Sequence, residues 1–234
     1  TLRGHLRLSG EAAYTSRSAW AFIQHFSFLQ GRWADFRLSL WHIGAHYWTY
    51  YGRAGTHALR PHSEDGARLQ LQLTPFERLG PTLLYLNGYR AHSQKAGEDV
   101  THSSVSYGLM TTLQIEPEAS LALHYRGRKD SHRFKLEGRY DVGPWQSRLA
   151  LLYARGAESS GWAVQGRLRW VPSERLQLDL LADAFDAPSW DSRLYTLTPM
   201  LRGEYGATLL YGKGAVLGGR VRYRLSSHWQ IEGR

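Results

Sequence analysis

Most of this chain alternates between apolar and polar residues with a period of two, which limits its possible folds more than any other feature. In RFKLEGRYDV, residues 133–142, every second residue is apolar, aromatic or glycine, and the residues between are charged. Side chains of an extended strand point alternately to the two faces of a sheet. The period therefore predicts β-strands with one apolar and one charged face, and no helical period competes with it.

Other segments repeat the pattern over lengths near ten residues. The turn DVGP at 141–144 joins the first run to WQSRLALLYA at 145–154, which predicts an antiparallel hairpin. Strands of about ten residues exceed the usual five or six of soluble sheets and suit a tilted strand that crosses a bilayer. Further strands are predicted at 2–9, 66–74, 104–116, 120–128, 162–171 and 217–225, at the C-terminal HWQIEGR, and more weakly at 19–29, 33–43 and inside 186–213.

The predicted connections alternate in length. Outer-membrane barrels combine short periplasmic turns with longer outer loops, whereas a soluble sandwich has no reason to keep that order. Short turns fall at 30–32, 74–80, 116–119, 141–144, 171–174 and 225–228, and longer polar segments at 10–18, 51–65, 91–103, 128–131, 155–160 and 186–213.

These patterns predict an all-β fold, a transmembrane antiparallel up-and-down β-barrel with about 12–14 strands in this chain. No composition break divides residues 1–234, so we expect a single barrel domain. A count of about thirteen strands is odd, whereas single-chain bacterial barrels have even numbers. We therefore expect this chain to be part of a larger barrel. The alternative is a soluble β-barrel or sandwich that acts as a binding module, in which the apolar face would be packed in a core.

Composition is compatible with a bacterial outer-membrane location. The mean hydropathy is −0.45 and cysteine is absent, but hydropathy tests miss membrane barrels because only alternate residues meet lipid. Tyr and Trp number 14 and 9 against 7 Phe, which favours rings that settle at membrane interfaces. The expected interface aromatics are Tyr125, Tyr140, Trp145, Trp162 and Trp170.

The formal charge of +9 is concentrated on the charged face of the predicted strands. In a barrel this face would line the lumen and attract anions. Alternatively, its side chains would cross-link into a network that fills a closed interior. Nucleic-acid binding is disfavoured because basic and aromatic residues fall on opposite faces. The predicted lumen-lining residues are Arg126, Arg128, Arg133, Lys135, Arg139, Arg148, Arg167, Arg169, Arg220, Arg222 and Arg224.

Motifs for catalysis or metal binding are weak, and we predict no enzyme, no cofactor and no metal site. Neither G-x-S-x-G nor a P-loop occurs. Histidine pairs spaced four or five residues apart would need a helix to bind one ion. They are His42 with His46, and His57 with His62. The aspartates Asp183, Asp186 and Asp191 would either hold a calcium ion in a loop or shape a turn.

A hydrolase is the alternative activity. Its residues would be a His/Ser pair in the barrel wall, with the histidine as base and the serine as nucleophile. The candidates are His102 or His124 with Ser104 or Ser106.

Three stretches carry family-like features: THALRPHSEDGARLQLQLTPFERL at 56–79, DAFDAPSWDSRLYTLTP at 183–199 and LLYGKGAVLGGRVRYRLSSHWQIEGR at 209–234. The features are an acidic-Gly entry into a strand (64–66), the run FDAPSWDSRLY (185–195) and a YGKG turn before an Arg-rich strand (211–224). They resemble the barrel region of bacterial outer-membrane proteins that often carry a periplasmic helix-hairpin-helix segment, which is absent here. The resemblance implies an outer-membrane location, a chain extending beyond both ends, and no settled biochemical activity.

Together these features predict an integral outer-membrane β-barrel in contact with lipid. It would act as a passive channel or as a structural subunit of a larger envelope assembly for transport, secretion or membrane-protein assembly.

Overall fold

A computed structural model describes residues 6–15, 19–28, 33–45, 47, 63–76, 78–95, 98–197, 206–226 and 229–234. Within these ranges no helix is long and apolar enough to cross a membrane. The strands are β1 (Arg7–Tyr14), β2 (Trp20–Phe28), β3 (Ala34–Ile43), β4 (Ser63–Leu73), β5 (Thr82–Lys95), β6 (Glu98–Glu116), β7 (Ala119–Arg128), β8 (Ser131–Val142), β9 (Trp145–Arg155), β10 (Ser160–Ser173), β11 (Leu176–Ala187), β12 (Leu194–Leu197), β13 (Ala207–Leu210), β14 (Gly212–Arg224) and β15 (Gln230–Gly233).

Thirteen of these strands form one antiparallel up-and-down sheet, which confirms the predicted all-β class. Each strand in it pairs with its chain neighbours, except that β11 pairs with β14 because β12 and β13 form a separate two-stranded sheet. In the part of the chain that is described, β1 and β15 are edge strands and no pairing closes the sheet.

The chain divides into two compact units. Unit 1 comprises 1–77 and 81–109, and unit 2 comprises 78–80 and 110–234.

The strand registers of unit 2 give its sheet two faces of opposite character. Cross-strand partners share a face, so Arg139, Arg148 and Arg167 lie side by side on what we call the charged face. The same registers align Leu136, Leu151 and Val164 on the opposite, apolar face. The alternation read from the sequence therefore corresponds to two faces of a real sheet.

In unit 1 the registers align four polar side chains in one cross-strand row. The row is His25 on β2, Ser39 on β3, Arg68 on β4 and Asn87 on β5, and we call this side the pocket face. The opposite face of β4 carries Leu69 and Leu71. The pocket face also carries the apolar residues Ile23, Trp41 and Ile43, so in unit 1 this face is mixed in character.

Among the described residues, two glycines have a backbone conformation that L side chains rarely adopt. Gly143 (φ 53°) makes the tight turn between β8 and β9, as the DVGP motif predicts. Gly212 (φ 82°) opens β14, at the point where the chain passes from the small sheet back into the large one. Glycine adopts positive φ without a steric penalty, which explains its presence at both turns.

Two predicted loops are wrong because most of their described residues pair as strands. Residues 10–14, predicted as loop, belong to β1, where Gly10 pairs with Gln24. The segment 91–103 is mostly strand in β5 and β6, although its residues are polar on both faces. The connection predicted at 128–131 is present as a tight turn, in which Arg128 pairs with Ser131. The predicted turn 30–32, residues 2–5 of the first predicted strand and most of the loop 51–65 lie outside the described residues.

The segment 186–213 also differs from its prediction. Asp183 and Asp186 lie in β11, not in a loop, and the three-residue spacing puts them on opposite faces of that strand. Both predictions for Asp183 and Asp186, a shared calcium-binding loop and a role in shaping a turn, are therefore wrong. Beyond the turn 188–193, the chain forms a short hairpin from β12 and β13.

Candidate functional site

The charged face of unit 2 is the candidate site, because the registers bring all the predicted basic residues to it. Across β7 to β11, β14 and β15, its acidic side chains are fewer than its basic ones. The acids are Glu137, Asp141, Asp179, Asp183 and Glu232. The face therefore carries a net positive charge, as the sequence predicts.

Three arginines of this face stand in direct cross-strand register. Arg148 on β9 pairs with Arg139 on β8 and with Arg167 on β10. Arg139 bonds Asp141 (Nε to Oδ2, 2.7 Å), and Arg167 reaches the Thr196 hydroxyl at 3.4 Å. Like charges directly opposite one another destabilise a sheet. Such a row is expected where an anion offsets the repulsion.

A buried carboxylate organises the cross-strand row next to the arginine row. Asp179 on β11 accepts hydrogen bonds from Arg169 (2.6 Å), Gln177 (2.8 Å) and Arg220 (2.5 Å to Nη2). Its side chain is only 8% exposed, and that of Arg220 is 12% exposed. Burial of charge is tolerated where the groups are paired and hydrogen-bonded, so this cluster holds three adjacent strands together.

Two more ion pairs lie on the same face. Lys135 pairs with Glu137 at 2.5 Å within β8, and Arg222 on β14 pairs with Glu232 on β15 at 2.6 Å. Each acid of these pairs is less exposed than its basic partner. Of the remaining predicted basic residues, Arg126, Arg128 and Arg224 are exposed and Arg133 is half-buried.

The β12–β13 hairpin covers part of the charged face. Leu194 and Leu210 of the hairpin are buried against Ala154 and Ala163 of β9 and β10. Gly161 is needed beneath it, because a Cβ there would lie 2.7 Å from the Ser192 carbonyl oxygen. Small residues thus form an apolar seat on a face that is otherwise polar.

Polar contacts fix the same hairpin. The Gln165 side chain donates to the Tyr195 carbonyl oxygen at 3.2 Å, and the Arg133 guanidinium lies 5.9 Å from the centre of the Tyr195 ring. The hydroxyl of Thr196 accepts from Arg167. The hairpin therefore lies next to the arginine row.

One acid near the hairpin lacks a hydrogen bond. Asp183 is 2% exposed, and in the described part of the chain neither of its carboxylate oxygens has a hydrogen-bond partner. Arg167 and Thr196 are neighbours that act on its charge. Asp183 is thus a buried acid beside Arg167 and the hairpin residue Thr196.

Hydrogen bonds connect the turn before the hairpin to the β9–β10 turn, and we call this connection the latch. Ser189 donates to Asp191, and the Glu158 amide donates to Asp191 Oδ2 at 3.0 Å. These hydrogen bonds, the Ser189 bond first, lower the pKa of Asp191 to about 2. A side chain at Gly156 would lie 2.1 Å from the same carboxylate, so glycine permits the close approach.

We expect this latch to open only in strong acid. Because the folded-state pKa of Asp191 is depressed, its contribution to stability is present above the unfolded value near 3.8 and is lost as pH falls through about 2. The chemical shift of the Glu158 amide should titrate with that low midpoint, and Asp191→Asn should abolish the step. A midpoint close to 3.8 would contradict the latch.

The predicted interface aromatics lie together on the apolar face. The registers align Tyr125 and Trp162 in one row, through Phe134 and Tyr153. Trp145 and Trp170 pair in a second row, with ring centroids 5.3 Å apart. The last, Tyr140, is 54% exposed and faces Ser147, whose hydroxyl donates to the Tyr140 carbonyl oxygen.

The His/Ser candidates of the sequence do not form a hydrogen-bonded pair among the described residues. Ser106 is buried and His102 is exposed, and no hydrogen bond joins either histidine candidate to Ser104 or Ser106 among the described side chains. A hydrogen-bonded His/Ser pair occurs instead in unit 1, between His25 Nδ1 and Ser39 Oγ at 2.7 Å. Across the described ranges no group of three or more His, Asp or Glu side chains is placed to hold a metal ion.

Sequence reasoning missed Asp179 and the hairpin seat. The alternation of 176–182, LQLDLLA, places Asp179 on the face of Gln177 and could have identified it as the partner of the arginines. The small residues at 154, 161 and 163 carry no such signal, because Ala and Gly fit either face.

Comparison with known proteins gives no relatives to guide interpretation. No family model matches this chain, and no curated protein matches it. The resemblance to helix-hairpin-helix barrel proteins therefore stays a prediction from the three stretches quoted above.

Proposed function

We propose that this chain is an integral outer-membrane β-barrel protein that acts as a passive channel with a preference for anions. The observation that carries the proposal is the inverted polarity of unit 2. Leu217 is 82% exposed and Leu149 is 58% exposed on the apolar face, whereas Asp179 is buried on the charged face. A soluble sheet keeps its apolar face in a core, and a membrane barrel turns it to lipid.

The two aromatic rows of the apolar face support a membrane position. On β10, Trp162 and Trp170 are eight residues apart, which is roughly 27 Å along a strand at about 3.4 Å per residue. Between them this face carries Val164, Gly166 and Leu168. Aromatic girdles that flank an aliphatic band about 25 Å tall are characteristic of outer-membrane barrels.

The arginine row supports the anion preference. Within the described residues Arg148 makes no hydrogen bond or salt bridge, and its nearest row neighbours carry the same charge. Rings or rows of Arg and Lys select anions in pores. Purified protein in a planar bilayer should therefore conduct, with a reversal potential that favours anions over cations in a salt gradient. A cation-preferring conductance would contradict the proposal.

The membrane orientation of the two faces can be tested by spin labels. The chain has no cysteine, so each single-cysteine variant carries one label. Labels at Leu149 and Leu151 should collide with oxygen and not with a water-soluble nickel complex in liposomes, whereas a label at the matched position Arg148 should show the reverse. Protection of Leu149 and Leu151 from both reagents would instead indicate a packed core and a soluble fold.

A structural subunit of an envelope assembly is the second candidate function. The hairpin favours it, because β12 and β13 cover part of the face that would line the lumen. A barrel with a filled interior would be silent in the planar bilayer and would co-purify with partner proteins. Silent bilayers together with lipid-facing labels at Leu149 and Leu151 would select this candidate over the channel.

A further inference from the structure

The pocket face of unit 1 contains a pocket, whereas the charged face described above belongs to unit 2. The pocket encloses about 430 Å³, within the range of small-molecule sites. Ile23, Trp41 and Ile43 contribute apolar walls, and His25, Ser39 and Arg68 contribute polar groups. Mostly apolar walls with a few converging polar groups are the usual composition of a ligand site.

The pocket wall is held in place by one buried pair. Trp41 Nε1 donates to Glu64 Oε1 at 2.9 Å, and Glu64 is fully buried. The Trp41 indole lies directly over Gly66, where a Cβ would come within 1.9 Å of the ring. Glu64 and Gly66 belong to the acidic-Gly entry noted in the sequence, and their role in the fold is to seat this tryptophan.

Arg68 is the feature of the pocket that calls for a ligand. Its Nε is buried without a hydrogen-bond partner, and no ion pair or hydrogen bond of Arg68 occurs among the described residues. A half-buried guanidinium without a partner is costly, and a bound anion removes that cost.

Two further groups stand beside Arg68 in the same cross-strand row. Ser39 is its direct register partner, and His25 is the partner of Ser39. When the Ser39 hydroxyl donates to His25 Nδ1, the other ring nitrogen carries the proton and can donate to a ligand. The row thus offers donors of hydrogen bonds beside an apolar wall. Glu11 is the acid that lines this pocket, and it is exposed.

We propose that this pocket binds a small organic carboxylate with an apolar body, held by Arg68 at the carboxylate and by Ile23, Trp41 and Ile43 along the body. The guanidinium is matched to a planar carboxylate, which it can hold through two parallel hydrogen bonds. The site does not depend on the proposed channel, because binding at unit 1 requires neither conductance nor the charged face of unit 2.

Calorimetry of the full chain in detergent tests the proposal. The probes are 3-phenylpropionate, 3-phenylpropanol, 3-phenylpropylamine and acetate. Each probe is also titrated into detergent without protein as a blank. The carboxylate should bind roughly tenfold or more tightly than the other three, since each lacks either the charge or the apolar body. The proposal is overturned if 3-phenylpropionate and 3-phenylpropanol bind equally, if 3-phenylpropylamine binds more tightly than 3-phenylpropionate, or if no saturable binding is seen.

Variants locate the site. Arg68→Gln should weaken phenylpropionate binding by about tenfold or more, whereas Arg90→Gln, on the opposite face of β5, should leave it unchanged. Arg68→Gln orphans no partner, and its fold can be checked by circular dichroism. A second variant, Ala21→Leu, fills the pocket and should weaken phenylpropionate without affecting acetate. Unchanged binding in both Arg68→Gln and Ala21→Leu would place the ligand elsewhere and refute the assignment.

Discussion

Arg148→Glu is expected to abolish most of the anion preference of the conductance while making the protein more stable. The substitution changes the row Arg139, Arg148, Arg167 from three like charges to an alternating set. Two repulsive cross-strand pairs become attractive, while the attraction between Arg148 and Glu137 is lost, so the free energy of unfolding should rise by at most about 1 kcal/mol. The anion-to-cation permeability ratio should fall several-fold, because the centre of the positive row becomes negative.

The matched control for this prediction is Lys213→Glu. It changes the net charge by the same amount, but Lys213 lies on the other face of β14, beside Asp186. Its permeability ratio should equal that of the unmodified protein. Bilayer reversal potentials and urea titration in detergent measure the two effects. If Arg148→Glu and Lys213→Glu alter selectivity equally, the arginine row does not set the preference.

Asp179→Ala is expected to cause the largest loss of stability of any substitution on the charged face. It removes the shared acceptor of Arg169, Gln177 and Arg220 and leaves the nearly buried Arg220 without that partner. Breaking a buried ion pair by deleting one member costs about 3–5 kcal/mol. The urea concentration at the midpoint of unfolding should fall accordingly. The midpoint of Asp179→Asn should lie between those of the unmodified protein and Asp179→Ala, because the amide oxygen of asparagine still accepts a hydrogen bond.

The control for this prediction is Asp186→Ala on the same strand. Asp186 lies 4.0 Å from Lys213, and both side chains are substantially exposed, so its removal should cost less than about 1 kcal/mol. Equal losses for Asp179→Ala and Asp186→Ala would show that the Asp179 cluster does not bear on stability.

The sequence was sufficient to predict the strands on which one face is consistently apolar. The predicted strand 120–128 is observed as Ala119–Arg128, and 133–142 as Ser131–Val142. In these strands hydrophobic alternation and short turns act together, so the register follows from the pattern. The arginines of the charged face were assigned to their common face for the same reason.

Strands that are polar on both faces were not predictable in this way. In β5 and β6 the segment 91–103 reads as loop, yet it pairs through its backbone and through the bond between Thr101 and His92. Backbone hydrogen bonds sustain a strand without any hydrophobic alternation, so hydropathy carries no signal for it.

The candidate sites were predicted only in part, because their partners are set by tertiary contacts. The Asp179 cluster and the Arg68 pocket each combine residues from three or more strands, and their geometry depends on the register of neighbours far apart in sequence. The hairpin seat depends on the absence of side chains at Gly161 and on small ones at Ala154 and Ala163. A single sequence does not show which small residues face a neighbour.

The hairpin also has a consequence for how the protein folds. Ala187 at the end of β11 pairs with Gly212 at the start of β14, so 188–211 must be looped out before these strands can meet. Closing this loop costs about 2 kcal/mol more entropy than closing a two-residue turn. We therefore expect β11 and β14 to pair late in the assembly of unit 2, and a deletion that replaces 188–211 with a tight turn should accelerate refolding.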